Sequence, residues 1–89
     1  MSFSTELLQA PPQNFATAIS LEALKGMAES YVHRRKERAT LKAVQGQAEW
    51  ATRCGASKED IRRVIEKTIA NPRADADRAH ELTRMFLGE

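Results

Sequence analysis

The stretch ATLKAVQGQAEWATRCG, residues 39–55, decides how this chain folds. Set on a helical wheel at about 100° per residue, it is apolar on two sides rather than one. Ala39, Ala43, Gly46, Trp50 and Cys54 recur at three- or four-residue spacing and continue Leu24, Ala28 and Val32 upstream. Leu41, Val44, Ala48 and Ala51 form a second stripe on roughly the opposite side. A helix with two apolar faces lies between two packed neighbours. Small residues in the middle of the first stripe let another helix approach to about 8 Å.

Upstream, Ser20 has the side chain of an N-cap and Glu22 stands in the following turn. From Leu21 onward nothing strongly opposes helix before Gly55, and Gly26 and Gly46 impose only mild penalties. The expectation is one long central helix over residues 21–54, near 50 Å long at roughly 1.5 Å per residue. His33 to Arg38 is polar all round and reads as the solvated waist of that helix, with a break into two shorter helices as the alternative. Residues 1–20 read as an N-terminal arm, interrupted by Pro11-Pro12, whose Phe3, Leu7, Leu8 and Phe15 must dock somewhere. Residues 21–89 then form a single helical domain.

Downstream, Gly55 suits the left-handed position that ends a helix. Ser57 with Asp60 resembles a capping box that opens a helix over residues 58–70, with Ile61, Val64, Ile65, Thr68 and Ile69 on one face. Asn71-Pro72 stops it and starts a last helix over residues 73–87, burying Ala79, Leu82, Met85 and Phe86. The fold expected is all-α, a small helical bundle without strands.

Composition agrees. Eighty-nine residues with 42% hydrophobic and 29% charged side chains make one globular domain. Net charge is only +2, concentrated mid-chain: residues 31–52 sum to +3 and residues 53–67 to +2. A single cysteine excludes an internal disulfide, and with no apolar leader or membrane-length segment the chain is expected to be cytoplasmic.

The inventory for catalysis is empty. His33 and His80 stand alone, Asp75 and Asp77 diverge on a helix, and phosphate-loop and metal-binding spacings are missing. No cofactor, metal or small-molecule substrate is expected. Cys54 reads as a small buried hydrophobe, with a thiol activated by Arg53 as the alternative. Trp50 reads as the largest core side chain, with an interface anchor as the alternative.

Glu49 to Ile65 carries Ala51, Gly55 four residues later, then Ala56, Ser57, Ile61 and Val64. This pattern resembles a helix-turn-helix DNA-binding motif, whose second helix enters the major groove. The resemblance implies base contacts from Ser57, Lys58, Glu59, Arg62 and Arg63, and phosphate contacts from Arg34, Arg35, Lys36 and Arg38. The bland reading of the same charges is a solvated face with Arg62–Glu66 and Glu59–Arg63 pairs. The function expected first is nonetheless a regulator or adaptor working by protein contact, as a homodimer or on a larger protein. Its partner-binding residues would be Val32, Ala39, Ala43, Gly46 and Trp50. A DNA-binding regulator is the alternative.

Overall fold

A computed structural model describes residues 12–33 and 39–87, with side chains from Phe15 onward. Among these described residues four helices follow one another: α1 (Pro12–His33), α2 (Leu41–Arg53), α3 (Lys58–Ile69) and α4 (Ala76–Leu87). The all-α bundle expected from the sequence is what the chain forms. The single long helix holds only approximately, because residues 21–54 contain two helices rather than one. Thr40 is extended (φ −115°, ψ 163°) and its hydroxyl accepts the N–H of Ala43, capping α2. A threonine cap satisfies the first N–H groups of a new helix.

The first helix also begins earlier than expected, so residues 12–20 are not an arm but its opening turns. Proline at the first helical position loses no hydrogen bond, which makes Pro12 a start rather than a stop. Ser20 consequently sits inside α1, buried, its hydroxyl donating to the Thr17 carbonyl at 2.9 Å. The last helix starts at Ala76 instead of Arg73 because Asp75 is the better cap. Its Oδ1 accepts from the N–H groups of Asp77 (3.0 Å) and Arg78 (3.2 Å), while Asn71 closes a separate turn onto the Arg73 N–H.

The core is drawn from all four helices: Leu24, Ala28 and Val32 of α1, Val44, Ala48 and Ala51 of α2, Ile61 and Ile65 of α3, and Leu82 of α4. The first helix is the hub against which α2 and α3 both pack. Its C-terminal carbonyls, unpaired within the helix, are met by the α3–α4 corner. Asp75 N–H reaches the Val32 carbonyl at 2.7 Å, Arg78 reaches that of Tyr31 at 2.9 Å, and His33 Nε2 donates to the Thr68 carbonyl at 2.9 Å.

Between α2 and α3 the turn is fully determined by backbone hydrogen bonds. Ala56 N–H reaches the Ala51 carbonyl (2.9 Å) and Gly55 N–H that of Thr52 (3.0 Å), with Gly55 at φ +103°. This is a Schellman closure with a buried Ala51–Ala56 contact. A Cβ on Gly55 would stand 3.0 Å from the Thr17 hydroxyl oxygen. Gly55→Ala therefore meets both a strained backbone and a crowded α1, and should cost about 1–2 kcal/mol in denaturant unfolding.

The capping box of α3 is formed in both directions: Ser57 Oγ accepts the Asp60 N–H and Asp60 Oδ2 accepts the Ser57 N–H, each at 3.1 Å. The Ser57 backbone and then its hydroxyl hold the Asp60 carboxyl below its ordinary 3.8. A depressed carboxylate stabilises the fold above the unfolded value and releases that stability as pH falls through the folded one. Ser57→Ala should cost about 1 kcal/mol at neutral pH. Acid titration of stability below pH 3.8 should be shallower in that variant than in the wild-type chain.

Candidate interaction surface

Helices α1 and α2 run antiparallel as a hairpin. At its far end the Thr17 hydroxyl donates to the Cys54 carbonyl, and further in the Gln47 amide donates to the Ser20 carbonyl at 3.1 Å. One side of this hairpin lies on α3 and α4. Among the described residues nothing covers the other side.

On the bare side, Phe15 is 58% exposed, Ile19 56% and Trp50 54%. A shallow groove of about 410 Å³ runs between the helices, lined by Ala16, Ile19, Ser20, Ala23, Gln47, Trp50 and Cys54. No charged residue occurs in α1 from Pro12 to Leu21. Gly26 follows Ile19 by seven residues and Gly46 precedes Trp50 by four, which puts each glycine on the same helix face as its large neighbour, and a Cβ added at either would meet nothing within 4 Å among the described residues. Large apolar side chains lie open here beside small ones, and no charged residue lines the groove.

The two faces inferred for residues 41–54 are both present, but they play different parts from those expected. Val44, Ala48 and Ala51 are core, while Gly46 and Trp50 are open. Trp50 is not a core side chain: more than half of it is open to solvent. Cys54 is half-buried at the groove rather than enclosed. Of the five residues expected to bind a partner, Val32 is fully buried and unavailable to any partner. Ala39 is half-buried against the core, Ala43 is half-buried, and only Gly46 and Trp50 lie open. The sequence reading puts Phe15 on an arm and misses Ala16 and Ile19, because Pro11-Pro12 reads as a stop, and it does not single out Ala23. The charge-free run of residues 12–21 was the signal that could have found them.

Of the residues implied by the helix-turn-helix resemblance, Arg34, Arg35, Lys36 and Arg38 lie outside the described residues. Ser57 is committed to its cap, and Lys58 and Arg63 are exposed on α3. Arg62 donates to both oxygens of Glu59, at 2.6 and 2.7 Å, so the ion pair runs i,i+3 and not to Glu66 as expected.

Among the described residues no three His, Cys, Asp or Glu side chains are grouped to hold a metal ion. Nor is any described helix long and apolar enough to cross a membrane. Comparison with known proteins adds no relative: no family model, no curated protein and no solved structure matches this chain.

Proposed function

We propose that this chain is a cytoplasmic, non-enzymatic regulator or adaptor that works by contact, through the bare side of the α1–α2 hairpin. One observation carries the reading. Phe15, Ile19 and Trp50 are each more than half exposed on one charge-poor side of a helix pair. A half-open tryptophan beside a groove is the residue type that anchors interfaces, and truncating such an anchor costs about 2 kcal/mol or more of binding, roughly thirtyfold.

Photo-crosslinking in the native host tests it directly. A photoreactive phenylalanine analogue at position 19 or 50 should give discrete adducts, and the same group at the exposed Lys67 of α3 should not. Equal labelling at all three positions would end the contact reading for this surface.

A second reading has one supporting observation. The helix–turn–helix from Leu41 to Ile69 is tightly closed, with Ala51, Ala56, Ile61 and Ile65 buried and Lys58, Arg62 and Arg63 on the open side of α3. Glu59 and Asp60 in the first turn of that helix oppose phosphate. A duplex-DNA shift that weakens steeply with salt, and is lost in the Arg62→Ala/Arg63→Ala variant, would favour this reading over the first.

A further inference from the structure

The bare side of the α1–α2 hairpin is self-complementary, and we infer that its occupant is a second copy of this chain, related by a two-fold axis that crosses the hairpin at right angles. This deepens the contact reading and rests on it. Large and small residues are sorted along the hairpin. Thr17 is level with Cys54, because the Thr17 hydroxyl meets the Cys54 carbonyl. From there α1 advances and α2 runs back, each by about 1.5 Å per residue. Ile19 and Trp50 stand on one side of a midline and Gly26 and Gly46 on the other.

The two midlines coincide. On α1 the midpoint between Ile19 and Gly26 falls about 8 Å from the Thr17 level, and on α2 the midpoint between Trp50 and Gly46 falls about 9 Å from it. A two-fold axis at that height places Ile19 over the second copy's Gly26 and Trp50 over its Gly46 in the same operation. Ala23 then lies against its own counterpart. Such a closed, isologous pairing makes an antiparallel four-helix layer from two hairpins.

The glycines need this explanation. Glycine in a helix interior is the least favourable residue after proline, and among the described residues neither Gly26 nor Gly46 has a neighbour that a Cβ would touch. Nothing among those residues requires either one. A large side chain arriving from a second copy does.

Area bears on this occupant. The three large side chains are more than half open, and offer roughly 300 Å² per copy at the 150–250 Å² typical of an aromatic side chain. That is over a third of the ~800 Å² per partner in a standard interface, and the small residues beside them supply close approach for the remainder.

Sedimentation equilibrium on the full chain tests the assignment. From about 1 to 500 μM the mass should rise from 10.0 kDa toward twice that value. Gly46→Leu should hold it at 10.0 kDa without lowering the thermal midpoint of the dilute protein, since leucine favours helix over glycine. In a Cys54→Ser background, Ala23→Cys should be joined to its own copy by a short thiol–thiol cross-linker, and Lys67→Cys should not. A wild-type chain that stays monomeric throughout, a dimer that survives Gly46→Leu, or a dimer in which Ala23→Cys is not joined would each overturn the assignment. The photo-crosslinks separate this outcome from failure of the contact reading. Adducts of positions 19 and 50 only with a larger protein leave that reading standing and remove the second copy, whereas no position-specific adduct removes both.

Discussion

Truncating Ile65 to alanine should lower stability by about 3–4 kcal/mol, while truncating the larger Trp50 should change it by less than about 1 kcal/mol. Ile65 is fully buried where α3 meets α1, so Ile65→Ala loses both transfer free energy and the packing around the void. Domains of this size hold roughly 0.05–0.15 kcal/mol per residue, about 4–13 kcal/mol in all. Ile65→Ala should consequently bring the chain close to unfolding at 37 °C. Trp50, by contrast, is 54% exposed, and alanine is the better helix former, which offsets part of the lost contact. Urea unfolding of both variants at a concentration low enough to exclude association gives the comparison. A large loss in Trp50→Ala would place the indole in the core and contradict the open face.

The second large effect belongs to Arg78. Its guanidinium donates to the Tyr31 carbonyl at 2.9 Å, lies 5.0 Å from the centre of the Tyr31 ring, and shares the site with Glu81, which accepts the Tyr31 hydroxyl at 2.5 Å. One side chain thus closes the end of α1 and stacks on an aromatic ring. Arg78→Ala should cost about 2–3 kcal/mol, the sum of a charged hydrogen bond to a helix-end carbonyl and a partly exposed cation–π contact. Glutamine at the same position should recover only part of this loss.

The same cluster sets an alkaline limit. Burial first, and the bond to Glu81 second, raise the Tyr31 phenol above its ordinary 10.0, with Arg78 partly opposing. A raised phenol means the fold favours the neutral form. Its stabilisation is complete below pH 10.0 and drains away as pH climbs through the folded value. Tyr31 is the only tyrosine, so phenolate absorbance follows this titration in the intact chain. Tyr31→Phe should flatten the alkaline limb of stability, and an unchanged limb would assign it to other groups.

Much of the fold was legible where local chemistry is decisive. The Gly55 closure and the Ser57–Asp60 box involve backbone groups and side chains within six residues, and both form as the sequence implied. The break before Leu41 was harder to see, because neither glycine nor proline marks it. Thr40 was the available signal, a hydroxyl immediately before an apolar-periodic run, yet Ala39 and Ala43 made the stripe look continuous across it. That error carried into the site. Helical phase does not survive a chain reversal, so Val32 and Trp50, joined into one stripe on the wheel, ended in the core and on the surface respectively.

Which of two apolar faces stays open is not a local property either. It depends on where α3 and α4 settle, and the burial of Val44, Ala48 and Ala51 decides it for α2. The arrangement of Ile19 and Trp50 against Gly26 and Gly46 became visible only when the Thr17–Cys54 bond fixed the relative height of the two helices.

Fluorescence of the sole tryptophan, followed across protein concentration, puts the bare hairpin face to its most direct test. In dilute wild-type protein, at a mass of 10.0 kDa, the Trp50 emission should be red-shifted and readily quenched by acrylamide, and both properties should reverse as the mass doubles. Blue, quencher-protected emission from the 10.0 kDa species would mean that the indole is already covered within one chain, and the open face would not exist.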